Sequence, residues 1–165
     1  MNEVFLTKDV LTEPQRKGLL EDLQPFLKDF PGWPGRQSNQ DLHLCSQFDA
    51  LFKRFLEIAT GMGGEALRWG SEEGTVSFFN ETTGRKKDIA WHSHPSDFSG
   101  VYYIKTFPFF SNGTLFRDGF VKAPQNSLLI FPSHLDHTAP SSPLRFKRYT
   151  MGLNWMKLNQ EEEDE

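Results

Sequence analysis

The amino-acid sequence predicts an α+β domain in which two helices precede a block of short strands. Two segments before residue 65 carry apolar residues at helical spacing. The segments after it are rich in aromatic and β-branched residues and are separated by turn signals. At 165 residues the chain is long enough for one domain with a hydrophobic core. This order of elements favours helices packed on one face of a β-sandwich or barrel.

Two helices are predicted in the first half of the chain. Thr12 can cap the first helix, and Pro14 lies in its first turn, where a missing N–H is harmless. Pro25 is expected to kink or end this helix. The second helix is predicted over roughly 41–60, and the glycine-rich run that begins at Gly61 is expected to stop it.

Short strands are predicted mainly in the second half, where glycine, proline and asparagine mark the turns between them. The predicted strands are 3–6, 74–80, 89–94, 100–106, 114–116, 127–131 and 147–155. We expect a single domain over 1–165, in which 1–64 is mainly helical support, 65–156 is the β core and 157–165 is an acidic, solvated tail.

Composition excludes several classes of function. The net charge of -4 and the absence of a basic block argue against nucleic-acid binding. No apolar run approaches the roughly 20 residues that a membrane-spanning helix needs, and the N-terminus lacks the features of a secretory signal. The single cysteine, Cys45, cannot form an internal disulfide. We therefore expect a soluble cytoplasmic protein, whose oligomeric state the sequence does not indicate.

Histidines in the predicted β core are the first candidates for chemistry. His92 and His94 are two residues apart in a strand-like segment, so their side chains are expected to project from the same face. Pro95 ends that segment and places the pair near a strand end. Neutral imidazoles are common ligands of divalent first-row metals. The pattern therefore indicates a possible metal site, although an isolated pair of alternating histidines is more often structural.

A third histidine follows the apolar strand predicted at 127–131. His134 and His137 both lie just beyond that strand, and spacing alone does not choose between them. Either one could complete a three-ligand site with His92 and His94.

Arg148 opens the last predicted strand. Alternation places Arg148, Thr150, Gly152 and Asn154 on one face of it. An arginine that faces a barrel interior needs an anionic partner, and its planar guanidinium suits a carboxylate. The alternative is an exposed arginine at a strand start, beside Lys147.

A series of short motifs runs through the second half of the chain. In order they are His92-Ser-His94-Pro, Ser99-Gly-Val-Tyr-Tyr-Ile104, Phe131-Pro-Ser133, His137-Thr, Arg148-Tyr-Thr150 and Asn154. With these motifs the chain resembles a known family, the small prolyl-4-hydroxylase-like 2-oxoglutarate/Fe(II) oxygenases of marine bacteria and their phages. The resemblance covers about half of the chain.

This resemblance implies a double-stranded β-helix, of the jelly-roll or cupin-like type, with Fe(II) held at one end of the barrel. It favours His137 over His134 as the third metal ligand. It implies that 2-oxoglutarate binds with its far carboxylate on Arg148, with Thr150 at the position of the family's hydroxyl residue. Asn154 belongs to the same cosubstrate-binding set.

The resemblance also implies that one of two neighbouring tyrosines contacts the cosubstrate. Since Tyr102 and Tyr103 must face opposite sides of a strand, only one can do so. The sequence interpretation favours Tyr102.

One departure from the superfamily pattern concerns the third metal ligand. The usual set is two histidines and one carboxylate, but this chain has His94 where the carboxylate is expected. Either His92, His94 and His137 all bind the metal, or Asp97 supplies the carboxylate after a turn at Pro95. The three-histidine set is preferred.

The function expected from these residues is an Fe(II)- and 2-oxoglutarate-dependent dioxygenase that hydroxylates a small-molecule or peptidyl substrate and releases succinate and CO₂. Two alternatives remain. One is a cupin-type iron dioxygenase that does not use 2-oxoglutarate. The other is a non-catalytic β-barrel binding protein whose histidines are structural or hold zinc.

Overall fold

The computed structural model describes residues 3–31, 35–70, 76–83, 90–107, 112–139 and 146–158. The start of the strand predicted at 74–80, the first residue of the one predicted at 89–94, and most of the predicted acidic tail lie outside these residues.

The first helix, α1 (Glu13–Leu23), begins where the sequence predicts. Thr12 and Gln15 form a capping box: the Thr12 Oγ1 accepts the Gln15 N–H at 3.3 Å, and the Gln15 Oε1 accepts the Thr12 N–H at 2.9 Å. Pro14 lies in the first turn. A 3₁₀ turn at Gln24–Phe26 follows and contains Pro25, so the α-helix ends just before this proline, as predicted.

The second helix, α2 (Asp49–Gly63), is shifted relative to the prediction of 41–60. Two 3₁₀ turns, Leu42–Leu44 and Ser46–Phe48, precede it. Its end is Gly64, which has a left-handed φ of 68° and donates its N–H to the Thr60 carbonyl at 3.1 Å. The helix therefore ends within the predicted glycine-rich run. It passes through Gly61, because a single glycine within a helix is only mildly unfavourable. Neither described helix is both long enough and apolar enough to cross a membrane.

The described strands form two antiparallel sheets. They are β1 (Phe5–Thr7), β2 (Lys28–Asp29), β3 (Gly35–Gln37), β4 (Leu67–Trp69), β5 (Ser77–Thr83), β6 (Phe98–Lys105), β7 (Gly113–Phe116), β8 (Gly119–Lys122), β9 (Leu128–Pro132), β10 (His137–Thr138) and β11 (Lys147–Lys157). The large sheet has the order β1-β9-β6-β11-β5-β3-β2, with β4 also paired to β11. The small sheet has the order β10-β7-β8.

Two hydrophobic clusters cover the two faces of the large sheet. On one face the helices pack with buried residues such as Phe52, Phe55 and Tyr102. On the other face, β6 and β9 pack against the small sheet, where the Phe116 and Phe131 rings meet edge to face at 5.0 Å. The helices therefore cover one sheet face, as predicted, and the opposite face is left to build a site between the sheets.

One strand prediction is wrong. Among the described residues of the segment predicted as the strand 89–94, only His92 is in β pairing, as an isolated bridge to His137. His92 and His137 exchange one pair of backbone hydrogen bonds. The chain then turns at Pro95, which has no backbone N–H with which to continue the pairing. Five further strands were not predicted, because with two to four residues each they are too short to show an alternation of apolar and polar residues. They are β2, β3, β4, β8 and β10.

Candidate metal centre

Three histidine rings converge beside strand β10 of the small sheet. His137 lies on β10, and His92, in the segment before β6, pairs with it through an isolated antiparallel β-bridge. The ring centroids of His92 and His137 are 4.3 Å apart, and that of His94 lies 5.1 Å from His92 and 5.2 Å from His137. One potential ligand atom of each histidine lies within 4.8 Å of the other two. This arrangement can hold one metal ion.

Backbone carbonyls set the tautomers of two of these rings. The Nδ1 of His92 is 2.8 Å from the Ala90 carbonyl oxygen, and the Nδ1 of His137 is 3.0 Å from the Leu135 carbonyl oxygen. Because a carbonyl oxygen can only accept, each Nδ1 must carry the proton. The lone pair is then on Nε2, and the ring is held in a fixed orientation, as in many metal-binding histidines.

Burial keeps two of the rings neutral. Burial, together with the charges that His137 and His92 would carry, lowers the pKa of His94 to about 3. Burial also lowers the pKa of His137 to about 4, against a smaller opposite effect of the Leu135 carbonyl. Both imidazoles are therefore unprotonated at neutral pH and have a lone pair to donate. The residues present fit a divalent first-row metal.

The structure places His94 in the cluster and Asp97 outside it. The backbone N–H of His94 donates to the Ser133 carbonyl at 3.1 Å, which fixes the segment beside the end of β9. Asp97 instead uses its Oδ2 to accept the backbone N–H of Lys157 at 2.8 Å. The carboxylate alternative is therefore not supported by the geometry. His134 is exposed and lies outside the cluster as well.

Arg148 lies on β11 and lines the same cavity as the three histidines. Thr150, Gly152 and Asn154 line it too, so the predicted face of this strand does point into the site. The Nε of Arg148 is buried and has no hydrogen-bond partner among the described residues. Burial lowers the pKa of its guanidinium from the usual value. A buried cation with an unsatisfied donor is suited to an anionic ligand.

The expectation that Tyr102 faces the site is wrong, and the register of β11 and β6 gives the reason. Thr150 lies opposite Tyr103, whereas Met151 lies opposite Tyr102, and opposite residues share a sheet face. Tyr103 consequently lines the cavity with Arg148. Tyr102 faces the helices, and its hydroxyl donates to the Asn126 Oδ1 at 2.6 Å.

The buried hydroxyl of Tyr103 makes a short hydrogen bond to Thr114 on β7. Burial raises the pKa of Tyr103 to about 12, so the phenol stays protonated beside Arg148.

A cluster of three serines and one asparagine, which was not predicted from the sequence, supports the site. The Oγ of Ser133 lies 2.8 Å from that of Ser96 and 2.7 Å from that of Ser99. Both Ser96 and Ser99 donate to the Asn154 Oδ1, at 3.0 and 2.6 Å. The cluster joins β6, β9 and β11 at the point where Ser133 holds His94. Asn154 is thus engaged with serines, although it also lines the cavity.

A further wall of the cavity, from β5, was also missed. Phe78, Asn80 and Thr82 lie opposite Gly152, Thr150 and Arg148 in the β5–β11 register and line the cavity with them. Because Gly152 has no side chain, the Phe78 ring can lie over it: a Cβ at Gly152 would be 2.3 Å from the ring.

Comparison with known proteins identifies the fold. No protein-family model matches the chain, and no curated protein matches it in sequence. The structure resembles that of SnoN, a non-heme alpha-ketoglutarate-dependent epimerase from nogalamycin biosynthesis, with a TM-score of 0.72 and 11% identity over 94% of this chain and 78% of that one.

Two further solved structures are similar to it. HygX from Streptomyces hygroscopicus, solved with nickel and 2-oxoglutarate bound, matches with a TM-score of 0.67 and 12% identity over 94% of this chain and 83% of that one. The apo form of EctD from S. alaskensis matches with a TM-score of 0.70 and 14% identity over 94% of this chain and 73% of that one. The antiparallel sheets and two helices of this chain therefore have the jelly-roll-like fold that these enzymes share.

Proposed function

We propose that this protein is an Fe(II)- and 2-oxoglutarate-dependent dioxygenase that hydroxylates its substrate. In this proposal the two sheets form a double-stranded β-helix of the prolyl-4-hydroxylase-like type. The observation that carries the proposal is the convergence of His92, His94 and His137 in one cavity with the buried, unpartnered Nε of Arg148. The likeness to SnoN, whose name includes alpha-ketoglutarate dependence, and to HygX, which was solved with nickel and 2-oxoglutarate bound, supports it.

His92, His94 and His137 would hold Fe(II) on one side and leave adjacent positions open. Iron with 2-oxoglutarate would supply the oxidising chemistry: one oxygen atom of O₂ enters a substrate C–H bond, and the other enters the succinate that forms as CO₂ leaves. The hydrogen bonds at Nδ1 of His92 and His137 limit the rotation of both rings, so less ordering of these two ligands would be needed when the metal binds.

Arg148 would bind the far carboxylate of 2-oxoglutarate through its guanidinium, with the Thr150 hydroxyl beside it. Tyr103 lines the same region and is uncharged at neutral pH, so it can offer a hydrogen bond to the carboxylate without repelling it. The rings of Phe131 and Phe78 also line the cavity and would give the reacting centre an apolar wall.

A second candidate is a cupin-type iron dioxygenase that works without 2-oxoglutarate. The observation that favours it is the neutral ligand set, because His94 stands where the two-histidine, one-carboxylate pattern has an acid. The buried Nε of Arg148, which has no hydrogen-bond partner among the described residues, favours the first proposal, since an anionic cosubstrate would supply one. A non-catalytic β-barrel that holds zinc is a further alternative.

The proposal is tested by anaerobic titration of the purified protein with ferrous iron and then with 2-oxoglutarate. We expect one equivalent of each to bind and a weak visible charge-transfer band to develop as the keto acid chelates the metal. Iron binding without this band, followed by O₂ consumption with substrate, would support the cupin-type enzyme. A protein with no affinity for iron would contradict both enzymatic proposals.

We further propose that the protein works in the cytoplasm and acts on a small-molecule or peptidyl substrate.

A further inference from the structure

The described part of the cavity wall contains positive and neutral groups but no carboxylate. Its described lining residues are aromatic, aliphatic, hydroxyl and amide side chains, the three histidines and Arg148. Among these described residues Arg148 is the only one whose side chain carries a permanent charge, because the three histidines would be neutral ligands of the metal.

Acidic side chains on the neighbouring described segments are engaged elsewhere. The Asp97 carboxylate accepts the Lys157 backbone N–H. Asp136, next to His137 in sequence, is half-exposed and lies 3.6 Å from the Arg117 guanidinium.

Glu81 is bound on the opposite face of β5. The Arg36 guanidinium and the Tyr149 hydroxyl contact it there at 2.8–2.9 Å. None of these three acids is thus placed to neutralise a charge in the cavity.

The wall also presents an amide donor, oriented by a chain of amides. Gln40 donates its Nε2 to the Gln37 Oε1 at 3.3 Å, and Gln37 donates its Nε2 to the Asn80 Oδ1 at 2.6 Å. Asn80 is buried and lines the cavity. Because its oxygen is used by Gln37, the group that it can offer to a ligand is its Nδ2, a donor suited to an anion.

The formal charges of the described lining, a divalent metal and 2-oxoglutarate can be added to give the net charge of the loaded cavity. A divalent metal on three neutral imidazoles, with Arg148 beside it, carries three positive charges, and dianionic 2-oxoglutarate neutralises two of them. The usual ligand set would supply the third negative charge through its carboxylate. Here His94 stands in place of that acid, and no described residue of the lining supplies the missing negative charge. One positive charge is therefore left uncompensated by the described wall, which is unfavourable in a buried site.

We infer that the substrate supplies this charge: it is a small molecule or side chain with a carboxylate, which enters the cavity beside the metal and meets the Asn80 amide. This inference rests on the proposed function and narrows its substrate class. His94 then acts both as a metal ligand and as the residue that selects an anionic substrate, because a carboxylate at position 94 would repel it.

The experiment uses the protein loaded anaerobically with Co(II) and 2-oxoglutarate, which cannot turn over, and follows the visible cobalt bands. The probes are acetate, the neutral isostere acetamide, and azide. We expect acetate to bind at least about tenfold more tightly than acetamide, and His94→Asp to reduce this ratio by about tenfold or more, because it adds one negative charge close to the metal.

A second variant, Asn80→Asp, adds a negative charge without altering a metal ligand, and Asn80→Ser is its neutral control. We expect both variants to weaken acetate binding, since both remove the amide donor, and the aspartate to reduce the preference for acetate over acetamide clearly more than the serine does, because only the aspartate adds a negative charge. This pair keeps the test decisive if His94→Asp binds cobalt poorly.

The outcomes separate the inference from the proposed function. Failure of the wild-type protein to bind Co(II) or 2-oxoglutarate overturns the proposed function, and the inference with it. Binding of both with equal affinity for acetate and acetamide overturns the inference alone. If azide changes the cobalt bands and acetate does not, an inorganic anion supplies the negative charge, and the proposed class of carboxylate substrates is wrong. An unchanged acetate preference in both aspartate variants also contradicts it.

Discussion

His92 and His137 face each other across an isolated β-bridge in which each backbone N–H donates to the carbonyl oxygen of the other, at 3.1 and 3.0 Å. The two segments are far apart in sequence, yet this pair of hydrogen bonds brings their rings to 4.3 Å. Each ring also donates its Nδ1–H to a carbonyl two residues earlier in its own segment. Backbone hydrogen bonds thus position two of the three candidate metal ligands before any metal binds.

The first prediction concerns His137. We expect His137→Ala to lower the affinity for Fe(II) by more than about 100-fold. Mutation of a residue that only hydrogen-bonds to a metal ligand already lowers metal affinity by about 10- to 100-fold, and the loss of the ligand itself should have a larger effect. Metal content after dialysis and a titration with Co(II) measure the effect. The matched control is His134→Ala, because His134 is exposed and lies three residues earlier, in the turn that precedes β10. Equal losses in the two variants would contradict the assignment.

A second prediction concerns Arg148. We expect Arg148→Ala to weaken 2-oxoglutarate binding by at least about 30-fold, because removing one partner of a buried charge pair costs about 2 kcal/mol or more. Iron affinity should change little, since Arg148 is not among the clustered ligands. Isothermal titration with each ligand separates the two effects. Arg54→Ala, at an exposed position on α2, is the control; unchanged 2-oxoglutarate binding in Arg148→Ala would exclude the proposed role.

The third prediction concerns Ser133, which contacts two other serines and holds the His94 backbone. Ser133→Ala removes two hydroxyl contacts, a buried one to Ser99 at 2.7 Å and a part-buried one to Ser96 at 2.8 Å. We expect the free energy of unfolding to fall by about 1–3 kcal/mol. The metal affinity should fall with it: the Ser133 carbonyl that accepts the His94 N–H remains, but the turn that carries it is less firmly anchored. Ser93→Ala alters an exposed serine between the two histidines and should change neither quantity. Thermal unfolding with and without Co(II) measures both.

The parts of the site that the sequence predicts are those that depend on local periodicity. Arg148, Thr150, Gly152 and Asn154 share a face because side chains alternate along any strand, and the structure places all four on the cavity. Alternation does not indicate which face of β6 the helices cover, and the choice between Tyr102 and Tyr103 depends on that packing.

Contacts between distant segments could not be predicted either. Ser99 and Ser133 are 34 residues apart and meet only because β6 pairs with β9. The same holds for Asn80, which reaches the site through the pairing of β5 with β11. The single-domain boundaries at 1–64, 65–156 and 157–165 stay a prediction.

A fourth prediction concerns the dependence of stability on pH. The hydrogen bonds from Arg36, and then the one from Tyr149, lower the pKa of Glu81 against the opposing effect of burial. The folded state therefore binds a proton on Glu81 less readily than the unfolded chain. Its contribution to stability is fully present above the unfolded pKa of about 4.5 and is lost as the pH falls through the lower folded pKa.

This contribution is measured by comparing Glu81→Gln with the wild type. We expect the free energy of unfolding of the variant to be lower by about 1–3 kcal/mol at pH 7, because hydrogen bonds to a charged group are replaced. The difference should shrink as the pH falls below about 4.5. Urea unfolding between pH 3 and pH 7 measures it, and a difference independent of pH would show that the carboxylate charge has no part in it.

The last prediction tests the β5 wall of the cavity through Gly152. An added Cβ at this position would lie 2.3 Å from the Phe78 ring, so Gly152→Ala must push the ring into the cavity or separate the two strands. We expect a loss of about 1–3 kcal/mol in unfolding free energy and weaker 2-oxoglutarate binding. Gly61→Ala is the control: it lies on α2, a Cβ there meets nothing within 4 Å, and alanine favours the helix. If the double variant Gly152→Ala/Phe78→Leu regains both stability and 2-oxoglutarate binding, the clash with the Phe78 ring is the cause of the defect. If the defect persists, its cause is a change in the backbone of β11.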